Sequence, residues 1–157
     1  MIMSLSTIEI MFYLSGALAI IASIKVVTGS NTIHALMYLV VSLLAVAVCF
    51  YLMGAPFAAG LEVIVYAGAI LVLFVFAIMM FGLTEDEHLY APQNAITTWL
   101  GPAVLCLVLL AVLVFSITDS NIQSRLTSGV ISAKEVGGLL YGPYVLAVEI
   151  ASFLLLS

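Results

Sequence analysis

Long uncharged stretches dominate this chain of 157 residues and restrict the environment in which it can fold. About 20 apolar residues in a helix cross a hydrocarbon core about 30 Å thick. Runs of that kind cover residues 8–27, 33–53, 60–83 and 96–117, and a fifth covers 140–157. They lack the alternation of strands, and lipid leaves unpaired backbone groups without partners. The sequence therefore predicts an all-α integral membrane protein with five transmembrane helices, in one membrane domain over residues 1–157.

The composition indicates which kinds of molecule this chain can contact. Hydrophobic residues make up 66% and charged residues 7%, against about 25% charged in soluble domains. Such a chain needs the lipid bilayer or other protein against most of its surface. The net charge of −5 includes no basic cluster, which argues against nucleic acid as a partner and against an electrostatic anchor to anionic lipid headgroups. Cys49 and Cys106 fall inside apolar runs without metal-ligand spacing, so we expect inert packing residues. The first run lacks a basic n-region and a cleavage site, which favours a membrane helix over a secretion signal.

The fifth run is short for a span. The stretch from Pro143 to Ser157 reaches only about 22 Å as a helix. Either the fifth helix begins before the proline, or the natural chain continues beyond Ser157. We expect the second, because the sequence stops inside an apolar segment without a polar flank.

Two stripes of small or weakly polar residues lie on the first two helices. In lipid, such residues mark faces at which helix backbones approach closely. The stripes have two interpretations: packing inside this chain, or docking against other membrane subunits. Their residues are Ser15, Ala19 and Ser23 on the first helix, and Ala35, Tyr38, Ser42, Ala45 and Cys49 on the second.

Glu62 enters the third apolar run as its one charged residue. A charged carboxylate at the bilayer centre costs at least about 2.5 kcal/mol, and such residues often serve proton relays. Tyr66, four positions later, lies on the same face of a helix and extends the polar surface by one turn. The alternative is an interfacial acid at a helix N-terminus, where the helix dipole favours negative charge.

Glu149 is the second acid inside an apolar run. If Pro143 occupies the first helical turn, Glu149 lies about 9 Å into the helix, with Ser152 on the same face. The alternative is an ion pair with a basic residue of a neighbouring helix. This chain has no base at a matching depth, so that partner would belong to another subunit or be replaced by water.

Three small residues, Ala67, Gly68 and Ala69, follow Tyr66. Glycine in mid-helix costs about 1 kcal/mol relative to alanine, and a lightly packed backbone can change its hydrogen-bond register. Such a place suits a π-bulge, a feature frequent at functional sites. The alternative is close packing against a neighbouring helix.

Motifs for other chemistry are missing from the sequence. There is no glycine-rich phosphate loop, no nucleophile beside a base and no metal-ligand set, and His34 and His88 are isolated. We therefore expect no catalytic residue, no metal and no cofactor on this chain.

Three segments carry a family resemblance: NTIHALMYLVVSLL, GLEVIVYAGAILVLFVFAIMM and ISAKEVGGLLYGPYVLAVEIAS. With the five-helix layout, they resemble subunit J of the proton-pumping NADH:quinone oxidoreductase, respiratory complex I, whose mitochondrial counterpart is NADH dehydrogenase subunit six. The resemblance covers nearly the whole chain, and its length and the GPYVLAVE motif are typical of bacterial members. Two departures are Thr32, where the family usually has proline, and the absence of the family's C-terminal extension.

The resemblance implies a membrane-arm subunit without redox centres, in the bacterial inner membrane. Its neighbours would be subunits A, H and K and the antiporter-like subunits, and other subunits would bind NADH, FMN, iron–sulfur clusters and quinone. The whole complex would be the H⁺-translocating enzyme, with no complete active site on this chain.

The resemblance also implies roles for single residues. The family's third helix has a π-bulge that switches to an α form and opens a hydrated path between the quinone region and the antiporter-like subunits. Glu62 and Tyr66 would line that path, Gly68 would permit the switch, and Glu149 would support it. The matching bulge positions are Tyr66, Ala67, Gly68, Ala69, Ile70 and Leu71.

Two other functions remain open at this point. One is the equivalent subunit of a related antiporter or membrane hydrogenase complex, because those assemblies share membrane modules with this family. The other is a structural helix bundle that only holds its neighbours together.

Overall fold

The computed structural model describes residues 2–29, 31–81, 95–119 and 129–157. Every regular element in these ranges is helical. In chain order they are α1 (Ile2–Thr28), α2 (Thr32–Leu52), α3 (Pro56–Leu61), a π-helix (Glu62–Ile70), α4 (Leu71–Met80), α5 (Ala95–Thr118), α6 (Ala133–Leu140) and α7 (Val145–Leu156). The prediction of an all-α protein is confirmed.

Within the described ranges, four stretches are long and apolar enough to cross a membrane: Thr7–Thr28, Thr32–Leu52, Pro56–Met80 and Trp99–Thr118. The third stretch joins α3, the π-helix and α4 into one span of 25 residues. It begins at Pro56, four residues before the predicted start, because proline suits the first turn of a helix. The chain is thus an integral membrane protein, with a fifth span if α6 and α7 are counted as one broken helix.

The core lies where α1, α2 and α5 meet. Its buried side chains are Leu18 from α1, Ala45, Val48 and Leu52 from α2, and Leu109 and Val112 from α5. Small residues permit this approach: Ala22, Ala45 and Ser15 have no exposed surface. The stripes on α1 and α2 therefore pack, at least in part, inside this chain.

A pair of serines joins α1 to α2. Ser42 donates its hydroxyl proton to the carbonyl oxygen of Ala19 over 3.2 Å. Its oxygen lies 2.8 Å from the hydroxyl of Ser23, and because Ser42 has already used its only proton, Ser23 is the donor in that bond. In lipid, such bonds hold helices together without competition from water.

The turn between α2 and α3 forms a hydrogen bond with the segment that precedes α6. The main-chain N–H of Ile131 donates to the carbonyl oxygen of Gly54 over 3.2 Å. Gly54 lies between two membrane-spanning helices, so this bond places Ile131 at one end of the bundle. We call that end the Gly54 side of the membrane.

The predicted fifth helix is broken near its start. α6 ends at Leu140, residues 141–144 form a turn, and α7 begins at Val145 at an angle of 84° to α6. The bend depends on Gly142, because a Cβ atom there would lie 2.7 Å from the carbonyl oxygen of Gly138. Pro143 therefore belongs to the turn and not to the first turn of α7.

Candidate functional site

The third membrane helix changes its hydrogen-bond pattern midway. Nine residues, Glu62–Ile70, form a π-helix between the α-helical segments α3 and α4. At its end, the N–H of Leu71 points to the carbonyl oxygens of Tyr66, five residues back, and Gly68. π-helices usually occur as single-turn bulges at functional sites. A segment of this length is therefore the most distinctive local structure in the described chain.

The small residues at the centre of the π-helix suit its geometry. A Cβ atom on Gly68 would lie 3.3 Å from the carbonyl oxygen of Val63, five residues back. That distance is short for a carbon–oxygen contact, so any larger residue would push against the wide turn. Ala67 and Ala69 on either side add little side-chain bulk. Gly68 therefore avoids a tight contact with the Val63 carbonyl.

The predicted bulge and the observed π-helix overlap but differ at both ends. The π-helix contains Tyr66, Ala67, Gly68, Ala69 and Ile70, whereas Leu71 is the first residue of α4. It also begins four residues earlier than the predicted bulge, at Glu62. The sequence gives no indication of a start at Glu62. The branched residues Val63, Ile64 and Val65 that follow it are also common in the α-helices of membrane proteins.

Glu62 lies deeper in its helix than the sequence predicts. The helix begins at Pro56, so the Glu62 Cα lies about 9 Å from the start at 1.5 Å per residue. The helix dipole acts mainly within the first turn, so the interpretation as an N-terminal interfacial acid becomes weaker. The side chain of Glu62 is half-buried, and within the described residues its carboxylate has no hydrogen-bond or ion-pair partner.

Tyr66 presents its ring away from the rest of this chain. Its side chain is 51% exposed. Glu62 and Tyr66 stand one turn apart in either helical form, since four residues slightly exceed an α turn and fall short of a π turn. The two polar groups therefore stay on neighbouring parts of the helix surface when the register changes.

The side chains of the π-helix are incompletely covered by the described part of this chain. No residue between Glu62 and Ile70 is buried, and the segment packs mainly on α2 and on the adjoining α3 and α4. Segments with few buried contacts are the ones that rearrange at low free-energy cost. Low burial within this chain is therefore a property that the π-helix shares with segments that rearrange.

An apolar groove adjoins one side of the π-helix. It has a volume of about 510 Å³ and lies between α2, the third membrane helix and α5. Val63 and Ile64 of the π-helix line it, facing residues such as Ala47 on α2 and Leu109 on α5. The side chains of Val63 and Ile64 therefore border open space within this chain.

Glu149 is separate from these residues. It is exposed and is the fifth residue of α7, which places it about 6 Å into that helix and not the 9 Å expected from a start at Pro143. Ser152 donates its hydroxyl proton to the main-chain oxygen of Glu149 over 2.7 Å. Its hydroxyl is thus used by the backbone. α7 has no extensive packing against α1–α5 in the described residues, so the structure does not bring Glu149 to the π-helix.

Other chemistry finds no support in the described ranges. No group of three or more histidine, cysteine, aspartate or glutamate side chains there is arranged to hold a metal ion. His34 begins α2, where its backbone N–H donates to the side chain of Asn31. His88 lies outside the described residues.

Comparison with known proteins gives a consistent result. The profile of the family described as NADH-ubiquinone/plastoquinone oxidoreductase chain 6 matches residues 22–157. NADH-quinone oxidoreductase subunit J of Escherichia coli strain K12 is 48% identical over 95% of this chain and 81% of its own length. The subunit J of Pseudomonas aeruginosa is 45% identical over 95% of this chain and 90% of its own length. The subunit J of Buchnera aphidicola from Schizaphis graminum is 42% identical over similar shares, 95% and 91%.

Proposed function

The chain belongs to the chain 6 family of NADH-ubiquinone/plastoquinone oxidoreductases, a bacterial multi-pass protein of the inner membrane, and from that premise we propose its function. It is a membrane-arm subunit of the proton-translocating NADH:quinone oxidoreductase, and its third membrane helix gates a hydrated proton path. The path runs between the quinone region and the antiporter-like subunits. The subunit itself has no redox centre, and NADH, FMN, iron–sulfur clusters and quinone bind to other subunits.

The observation that carries this proposal is the π-helix at Glu62–Ile70. Conversion of a π turn to an α turn shifts the hydrogen-bond register by one residue. In an α-helix one residue corresponds to a rotation of about 100° and a rise of 1.5 Å. The side chains on one side of the converted turn therefore move to a different face of the helix. A change of this size can open or close a path for water.

The polar groups of the segment have distinct roles in this proposal. Glu62 binds and releases protons at the entrance of the path, and the hydroxyl of Tyr66 continues the hydrogen-bonded chain by one turn. Gly68 lowers the cost of the π form, because any Cβ atom there would meet the Val63 carbonyl at 3.3 Å. These residues share one short segment in which no residue is buried by this chain.

Glu149 has a supporting role in the proposal. It enters the membrane from the Gly54 side, as Glu62 does, and lies at a comparable depth of about 6 Å against about 9 Å. The two helices do not pack extensively on each other in the described residues. Glu149 therefore acts through water or through a neighbouring subunit, for which subunits A, H and K are the candidates.

The assembled complex tests the assignment to an oxidoreductase. We expect this chain to co-purify with flavin and iron–sulfur subunits that oxidise NADH after the membrane is solubilised. If it instead purifies with an antiporter or a hydrogenase, the oxidoreductase assignment is wrong.

A pair of variants separates a gate from a structural bundle. Glu62→Gln removes the ionisable group and keeps the side-chain size, and we expect it to lower proton pumping strongly in an intact complex. Glu9→Gln is the matched control, because Glu9 is an exposed acid on the first membrane helix. If the Glu62→Gln complex assembles and pumps like the control, the gate proposal fails and the structural function remains.

A further inference from the structure

The short helix α6 has two different faces. Val136, Leu139 and Leu140 recur at the spacing that forms one apolar stripe on a helix. Lys134 lies on the opposite face, and Glu135, four residues before Leu139, borders the stripe. Leu139 and Leu140 are 53% and 42% exposed, so the apolar stripe is uncovered by the described part of this chain.

The direction of α6 follows from the bend that precedes α7. α7 is apolar apart from Glu149 and Ser152, and it continues the membrane domain of the chain. Because α6 meets it at 84°, α6 runs close to the membrane plane when α7 points along the bilayer normal. The contact that a Cβ atom on Gly142 would make with the Gly138 carbonyl, at 2.7 Å, shows that this bend is built into the sequence.

A hydrogen bond just before α6 indicates where this helix lies along the membrane normal. Ile131, two residues before α6, donates to the carbonyl oxygen of Gly54 over 3.2 Å. Gly54 lies at the end of two membrane spans, so α6 begins at the membrane surface. Tyr141 and Tyr144, at the other end of α6, are 81% and 58% exposed. Tyrosine is enriched at the level of the lipid headgroups.

We infer that α6 is an interfacial helix that rests on the lipid bilayer on the Gly54 side. Its stripe of Val136, Leu139 and Leu140 lies in the boundary between headgroups and acyl chains, as in other amphipathic helices at membrane surfaces. The partner is the phospholipid layer itself and not a particular headgroup. This inference does not depend on the gate.

The charges of α6 explain the lack of a headgroup preference. Lys134 is its one base and Glu135 its one acid. The Glu135 carboxylate accepts a hydrogen bond from the main-chain N–H of Ser132 over 2.9 Å, in a capping box that begins the helix. Attraction to anionic lipid comes from clusters of basic residues, and α6 has no such cluster.

An interfacial α6 also fixes the level at which α7 enters the membrane. Only the turn at 141–144 separates the two helices. Glu149 follows one turn into α7, so its depth is set by the position of α6 at the surface. The helix thus acts as an anchor for the acid of the last span.

A photoreactive residue in the assembled complex tests this inference. Benzoylphenylalanine is placed at Leu139 in one variant and, as the matched control, at Lys134 in another, and both complexes are irradiated in phosphatidylcholine vesicles. We expect phospholipid adducts of this subunit at a several-fold higher yield from position 139 than from position 134. Adducts from position 139 to another subunit, or equal lipid yields from both positions, would overturn the inference.

Two further measurements keep the test decisive if a bulky residue prevents assembly. Leu139→Cys and Lys134→Cys are labelled with a water-soluble maleimide and read by the mass of the subunit, and we expect Lys134→Cys to react several-fold faster. Equal rates would contradict an interfacial α6. The difference in labelling rate between Leu139→Cys and Lys134→Cys should be the same with and without phosphatidylglycerol in the vesicles. A difference that appears only with this anionic lipid would contradict the inference that α6 contacts the bilayer through its apolar stripe.

Discussion

Gly68 lies against the main-chain carbonyl of Val63, at the place where a side chain would begin. A Cβ atom on Gly68 would be 3.3 Å from that oxygen, a tight contact that a shift of a few tenths of an ångström would relieve. The same helix has a second glycine, Gly60, whose Cβ atom would meet nothing within 4 Å. The two positions therefore form a matched pair for mutation.

Replacement of Gly68 by valine should disturb the gate. The added carbons press on the Val63 carbonyl, and overpacking of this kind costs roughly 1–3 kcal/mol. We expect Gly68→Val to lower proton pumping by about tenfold, which corresponds to about 1.4 kcal/mol, and Gly60→Val to leave it nearly unchanged. Pumping by assembled complexes in vesicles measures the difference. Equal activity of the two variants would remove the special role of Gly68.

Loss of the Tyr66 hydroxyl should slow proton movement without weakening the fold. Tyr66→Phe keeps the ring and removes one oxygen, and because the side chain is 51% exposed in this chain, its packing here changes little. We expect slower pumping with normal assembly. Tyr13→Phe is the control, since Tyr13 is a 71% exposed tyrosine on α1. A Tyr66→Phe complex as active as the Tyr13→Phe complex would exclude the hydroxyl from the path.

Glu149→Gln should have a smaller effect than Glu62→Gln. Glu149 lies on α7, apart from the π-helix, whereas Glu62 is the first residue of that segment. We expect partial loss of pumping in the Glu149→Gln complex and nearly complete loss in the Glu62→Gln complex, in the same vesicle assay. The reverse order would move the centre of the path from the third helix to the last.

The serine pair between α1 and α2 should contribute measurably to stability. A double-mutant cycle with Ser23→Ala and Ser42→Ala measures the bond that joins their oxygens at 2.8 Å. We expect a coupling free energy of about 0.6 kcal/mol, the average for such bonds in membranes. The measurement is the thermal release of the subunit from the solubilised complex. Ser152→Ala serves as the control for Ser23→Ala, because the hydroxyl of Ser152 bonds to the main chain of its own helix and, among the described residues, to no other helix. Strict additivity of Ser23→Ala and Ser42→Ala would show that the pair contributes nothing.

The membrane-spanning helices can be predicted from the sequence because hydrocarbon thickness sets their length. The all-α class needs no tertiary information, since lipid forces every backbone group in a span to find its partner within the helix. The place of a weak backbone could also be predicted, because Gly68 and its alanine neighbours stand out in an apolar run.

The exact limits of the π-helix and the angle of the bend before α7 could not be predicted. Val63, Ile64 and Val65 have the composition of any membrane helix, so nothing in them marks a start of the π pattern at Glu62. Gly142 and Pro143 form a dipeptide that marks a break in a helix, but the dipeptide does not give the angle of the bend. The role of Gly142 becomes visible only with the close approach of the Gly138 carbonyl.

The hydrogen bond of the Leu71 N–H gives the most direct test of the gate. In this structure the N–H points to the carbonyl oxygens of Tyr66 and Gly68, whereas in a continuous α-helix it would bond to that of Ala67. Electron cryomicroscopy of the assembled complex, at rest and during NADH oxidation, reads which oxygen accepts the bond. We predict that turnover adds a population with the Ala67 acceptor and a rotated third helix. A single register with the Tyr66 acceptor in both conditions would contradict the account.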